Sequence, residues 1–191
     1  MRKPCLAFLL LATSVMTGCA SNLPRTTVEI WPLYRPTELA YAGGGRDTYV
    51  VLRGNPFAMD PAQFEQSVLN NMQGQNWGQR TNFTSRPTNF NNNYKVVMLF
   101  NGPPVNGGEL CRNPGAIPFR TGPQAELHVV AAFCRYDIAL TLAQGWLRPE
   151  GSGVSPEGFN ALIRQVTREM FPPTNPDDAR RDSRSVLPRN R

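Results

Sequence analysis

Few residues in this chain are of a type and spacing that could do chemistry, and they do not converge. His128 is the single histidine. Its sharpest role would be a general base or metal ligand, but it lies in an apolar strand-like run with no second histidine and no cysteine or acid at ligand spacing. A structural histidine with its ring hydrogen-bonded is therefore expected. A nucleophilic serine would need an activating turn such as G-x-S-x-G, and Gly151-Ser152-Gly153 is only a flexible turn. Gly43-Gly44-Gly45 precedes a strand instead of following one and opening a helix, so it is not a phosphate cradle. Glu157 and Glu169 sit far apart on one helical pattern, while Glu109, Glu126 and Asp137 are scattered. Paired-carboxylate hydrolysis needs two acids at a set separation across a cleft, which this spacing does not supply. The expectation is no catalytic set, no cofactor and no metal.

The cysteines carry more information. Four are present, Cys5, Cys19, Cys111 and Cys134. The first two fall in an N-terminal segment where Arg2 and Lys3 precede an apolar run from Leu6 to Val15, which ends in Met16-Thr17-Gly18-Cys19. That is the layout of a secretory signal peptide, here residues 1–18. The apolar run is too short to cross a hydrocarbon core, which takes about 20 residues. Met16-Thr17-Gly18-Cys19 resembles the lipobox of bacterial lipoproteins, an aliphatic residue, a small residue, Gly or Ala, then Cys. The resemblance covers about the first twenty residues. It implies that Cys19 becomes the acylated first residue of the mature chain, anchored by several acyl chains because one gives only reversible binding. Ala20-Ser21 after it, in place of Asp, implies the outer membrane.

In an exported chain the remaining even pair, Cys111 and Cys134, reads as a disulfide. It would close a Pro- and Gly-rich loop, worth about 3 kcal/mol in the chain-entropy account. A metal or redox pair is the rival reading, but the spacing is far from C-x-x-C and there is no histidine cluster.

Loss of the signal removes Arg2 and Lys3 from a chain of net charge +6, leaving a mildly basic mature protein with Lys95 as its one lysine. The arginines are scattered until the tail, so no nucleic-acid footprint is expected. The best hint of a binding surface is Trp77, Phe83 and Phe90, spaced through an Asn-rich loop, because loops carry function and aromatics anchor contacts. The competing and favoured reading is that these rings cover an open sheet face.

Residues 19–46 carry Pro24, Pro32, Pro36 and the glycine run; Val28, Ile30 and Trp31 have the character of a short edge strand, but the punctuation favours a lipidated, mostly extended tether. Residues 47–173 read as a single α+β domain. Strands are expected over Thr48 to Arg53, Tyr94 to Phe100, Ala125 to Tyr136 and Ile138 to Leu147, with one more short strand near Thr81 to Thr84. Ile138, Leu140 and Leu142 should share a face. Both faces of the Ala125 to Tyr136 strand are apolar, so it should be central. Met59-Asp60-Pro61 and Val154-Ser155-Pro156 open helices with the same cap-then-proline grammar, and the stripes Phe64, Val68, Leu69, Met72 and Phe159, Leu162, Ile163, Val166, Met170 give each a buried face. The order β-α-β-β-β-α predicts a mainly antiparallel sheet of about four strands under two helices, with residues 101–124 a long loop and 174–191 a disordered tail. This outline resembles small envelope lipoproteins.

The sequence thus points to a non-enzymatic binding or assembly module anchored in the envelope, with an envelope hydrolase or a carrier of apolar ligands as alternatives. The anchor is directly testable: Cys19→Ser should abolish acylation and leave uncleaved precursor, read by intact mass and metabolic lipid labelling.

Overall fold

In the computed structural model the described residues are 23–57, 59–149 and 153–178. The expected signal peptide over residues 1–18, Cys19, Gly151, Ser152 and residues 179–191 lie outside them. Six strands, β1 (Arg25–Ile30), β2 (Asp47–Arg53), β3 (Asn82–Thr84), β4 (Tyr94–Phe100), β5 (Leu127–Arg135) and β6 (Ile138–Leu147), form one sheet in the order β1-β6-β5-β4-β2-β3. β1, β6, β5 and β4 pair antiparallel, whereas β4–β2 and β2–β3 are parallel. The α+β class holds, but the sheet is six-stranded and mixed where four antiparallel strands were expected. Helices α1 (Thr37–Gly43), α2 (Pro61–Met72), α3 (Gly107–Arg112) and α4 (Pro156–Met170) are interspersed, with one 3-10 turn at Pro114–Ala116.

Both helix openings behave as their residue types dictate. The Asp60 carboxylate accepts from the Ala62 and Gln63 N–H groups, and the Ser155 hydroxyl accepts from the Gly158 N–H. Each cap satisfies donors that the first turn leaves without a partner. α2 and α4 then lay their apolar stripes on one face of the sheet, where Phe64 meets Phe100 edge-on at 5.0 Å and Phe57 meets Phe159 at 5.0 Å.

Strand β5 is buried on both faces, as its double apolar pattern requires. Leu127, Val129, Ala131 and Phe133 join the core under α2 and α4; Val130, Ala132 and Cys134 join a second, smaller core with Val97, Leu99, Leu110 and Ile117. The second core is roofed by α3 and the 3-10 turn, so residues 101–124 are not the structureless loop expected. The Cys111–Cys134 disulfide fastens this roof, with Cα atoms 5.7 Å apart across a sequence separation of 23.

Three further expectations are corrected. Residues 25–43 are not a tether: β1 is an edge strand whose Val28 and Ile30 pack on the core, and α1 buries Leu39 and Ala42. Pro36 sits at the N-cap of α1, and the glycine run supplies its last residue, Gly43, and its C-cap, Gly44, so these residues bound an element instead of preventing one. Leu140 and Leu142 do not share a face. Cys134 lies opposite Ala139 and Phe133 opposite Thr141, leaving Leu140 as an extra residue; this β-bulge reverses the alternation, so Leu140 enters the larger core and Leu142 the smaller. Finally, the tail does not begin at 174. Asn175 is 3 % exposed and its side-chain amide donates to the Trp31 and Tyr34 carbonyls at 3.0 and 2.9 Å, while the Tyr34 hydroxyl donates to the Pro172 carbonyl at 2.7 Å.

Helix α4 approaches the sheet closely at Gly145, where a Cβ would come within 2.6 Å of both Leu162 Cδ1 and Val166 Cγ2. Gly145→Ala should therefore push α4 off β6 and lower stability by about 1–3 kcal/mol, measured by denaturant unfolding.

Candidate binding surfaces at the two ends of the sheet

The sheet has two chemically different ends. At one lie the start of β1, the ends of β2, β4 and β6, and the start of β5; this near end is where the described chain enters at Leu23. At the other lie the start of β2, the β5–β6 turn and the loops after α1 and α2.

The near end holds a cleft of about 490 Å³ whose walls include Asn101, Pro103, Phe119, Arg120, Glu126 and His128. Asn101 organises it. It terminates β4 in the left-handed region, at φ 51°, which asparagine tolerates better than most residues. Its N–H donates to the His128 carbonyl at 2.8 Å, its side-chain oxygen accepts from the His128 N–H at 3.1 Å, and its carbonyl accepts from the Arg120 N–H at 3.0 Å. Its Nδ2 is buried with no hydrogen-bond partner among the described residues. Arg53 places its guanidinium 5.2 Å from the centre of the Phe119 ring and donates to the Gly115 carbonyl at 3.0 Å.

His128 is half-buried on the cleft wall, stacked on Trp146 at 5.0 Å and 12°, with Nε2 3.3 Å from Gln144 Oε1. The expected hydrogen-bonded ring is present, and the ring also faces a concavity that strand periodicity alone did not reveal. Burial is the main influence on its pKa and lowers it, against smaller opposing effects of Gln144 and Glu126. Glu126, the carboxylate on this cleft's wall, accepts from Arg25 at 2.6 Å and Arg148 at 3.3 Å through the same oxygen. The cleft wall thus sets a stacked, hydrogen-bonded imidazole and a carboxylate held by two arginines into one concavity. Among the described residues no three His, Cys, Asp or Glu side chains could together hold a metal ion, and no helix is long and apolar enough to cross a membrane.

The far end collects exposed rings. Trp77 is 59 % exposed, Tyr41 67 % and Tyr136 61 %, while Phe90 is partly exposed and rests against Tyr49 at 5.9 Å. The strands and loops that hold them are stitched together. Phe90 bridges to Asp47, Asn91 Nδ2 donates to the Tyr41 carbonyl at 3.3 Å, and the Tyr136 N–H donates to the Asn93 carbonyl. Asp47 accepts from Asn82 Nδ2 and the Thr88 N–H, which hold its carboxyl below the usual carboxylate range. Of the three rings singled out in the sequence, Phe83 does not belong to this rim: it is 1 % exposed and packs on Phe171. Tyr41 and Tyr136 join it instead. Beneath the rim, Glu38 accepts from the Tyr94 hydroxyl at 2.7 Å and Arg135 at 3.0 Å, pinning α1 to β4 and β5; burial and Glu38 push the Tyr94 phenol up to about 12.

No family model and no curated protein matches the chain. One solved structure is similar, a PelC variant dodecamer from Paraburkholderia phytofirmans, at 10 % identity and a TM-score of 0.41 over 80 % of this chain and 100 % of that one. A likeness this weak carries no inference.

The His128 environment fixes a sign. Its folded pKa lies below the ordinary value, so the stability that its neutral form contributes is complete above the unfolded pKa of about 6.5 and is lost as the pH falls through the lower folded value. Unfolding free energy should therefore decline on acidification from pH 7.5 to 5 more steeply in the wild type than in His128→Gln.

Proposed function

We propose that this protein is a lipid-anchored component of the bacterial cell envelope, held through acylated Cys19 at the outer membrane and facing the periplasm, whose domain is a binding or assembly module and not an enzyme. The lipobox-like Met16-Thr17-Gly18-Cys19 motivates the anchor, and the Cys111–Cys134 disulfide fits an oxidising compartment. The observation that carries the binding role is the far-end rim, where Trp77, Tyr41 and Tyr136 are each more than half exposed on well-bonded loops. Large rings held rigid at low entropic cost are the residues that dominate protein interfaces. The partner is an envelope protein or a cell-wall polymer that stacks on these rings.

The test is crosslinking in intact envelopes. The wild type should retain a defined partner, and Trp77→Ala together with Tyr41→Ala should weaken that association by about 2 kcal/mol or more without lowering stability, because both rings are largely solvent-exposed. A wild-type domain that is consistently bare and monomeric would overturn the reading.

A further inference from the structure

Strand β1 pairs with β6 on one side only, and just past its end the Trp31 N–H donates to the Leu140 carbonyl at 3.0 Å. Backbone groups alternate sides along an antiparallel strand, so Arg25, Thr27 and Glu29 bond toward β6, while the N–H and C=O of Thr26, Val28 and Ile30 point outward. Those outward groups have no hydrogen-bond partner among the described residues. Proteins that keep a sheet edge to themselves shorten it, bulge it, or place lysine or proline on it. The opposite edge, β3, is only three residues long. β1 has six, pairs in regular register, and carries no lysine or proline within it; Pro24 and Pro32 lie beyond its two ends.

The side chains of this edge are complementary to themselves. Val28 and Ile30 pack on the larger core and Gln165 of α4 donates to Thr26, which leaves Arg25, Thr27 and Glu29 exposed on the other face. We propose that β1 is the interface of a two-fold symmetric dimer, in which the sheets of two copies join edge to edge through antiparallel β1 strands centred on Thr27. In that register Thr26 and Val28 of the second copy exchange both backbone bonds, and Arg25 lies opposite Glu29 of the second copy on either side of the axis. Opposite charges facing each other across strands stabilise the pairing, and like charges oppose it. Parallel pairing in register would set Arg25 against Arg25, and antiparallel pairing centred on Val28 would lose both charge pairs. Glu29 has no ion pair among the described residues, and Arg25 holds Glu126 through one nitrogen of a guanidinium that carries donors on three. The helices leave room for the second copy. Leu162 and Val166 of α4 lie against Gly145 on one face and Gly107 of α3 lies against Ala139 on the other, so both helices sit over β6. The two β6 strands would be three strand spacings apart, roughly 14 Å, which exceeds the diameter of a helix, about 10–12 Å.

Cysteine crosslinking of the full chain, exported and purified in detergent, tests both the contact and its register. Opposed residues of a non-hydrogen-bonded antiparallel pair have Cα atoms about 4.5 Å apart, within reach of a disulfide. Thr27→Cys should therefore give a covalent dimer under mild oxidation. Arg25→Cys and Glu29→Cys should link to each other when mixed, and neither should link to itself. In sedimentation, Glu29→Arg should raise the dimer dissociation constant by about tenfold, and at matched concentration it should speed exchange of the Thr26, Val28 and Ile30 amides. No linkage at Thr27→Cys, self-linkage of Arg25→Cys or Glu29→Cys alone, or slow exchange of those three amides in a monomer, which would mean that the chain covers its own edge, overturns the proposal. Trp77→Ala with Tyr41→Ala should leave the linkage unchanged, so failure of the rim and failure of this interface are read separately.

Discussion

Two adjacent strands that are apolar on both sides set the terms for the whole molecule. β4 and β5 bury Val96, Met98, Val129 and Ala131 on one face and Val97, Leu99, Val130 and Ala132 on the other, so each face needs its own cover. On the larger face that cover is conventional: two capped amphipathic helices with phenylalanines interlocked at their centre. The smaller face is covered by a segment with little to bury, a six-residue helix and one turn of 3-10 helix that contribute Leu110, Cys111 and Ile117. A helix that short is not stable by itself. The Cys111–Cys134 bond supplies what burial does not, because it ties the middle of the roof to the strand beneath. The same roof forms a wall of the near-end cleft through Pro118, Phe119 and Arg120, so the cleft inherits its shape from a covalent link.

How much of this was legible in the sequence depended on whether the deciding forces were local. The two long helices announced themselves through Asp60-Pro61 and Ser155-Pro156, and the β5–β6 hairpin through its alternation and the Tyr136-Asp137 turn, whose Tyr136 takes a positive φ. The elements that were missed are those in which a residue of poor propensity is kept for tertiary reasons. α3 opens with Gly107-Gly108, unpromising for a helix, yet at Gly107 a Cβ would lie 2.6 Å from Ala139 Cβ and 2.9 Å from Trp31. Prolines at their margins hide α1 and outweigh the edge-strand character of Val28 and Ile30 that β1 realises. The parallel pairing of β2 with β4 leaves no trace in either strand, and the bulge at Leu140 depends on how two strands meet.

The candidate surfaces were harder to read than the fold for the same reason. Asn101 and His128 are 27 residues apart and meet only because β4 pairs with β5. Tyr41 gives no sign of its surface role in a segment whose prolines and glycines spell a tether. Phe83 looked like its neighbours Trp77 and Phe90 in sequence, and only the packing of β3 against Phe171 separates a core ring from a rim ring. What emerges is a polarised domain, with a cleft at one end and three rings, Trp77, Tyr41 and Tyr136, more than half exposed at the other.

The clasp formed by Asn175 gives that polarity a mechanical meaning. Leu23 enters just ahead of β1, and residues 172–178 leave bound to Trp31, Tyr34 and Arg35 just behind it, the last through an Arg35–Asp178 ion pair at 3.3 Å. Tension applied between those two points would run lengthwise along the β1 backbone and into the Asn175 and Asp178 contacts, leaving the bonds to β6 unloaded until that clasp gives way. An edge strand, ordinarily the first part of a sheet to peel away, thereby stays in register for as long as the clasp holds.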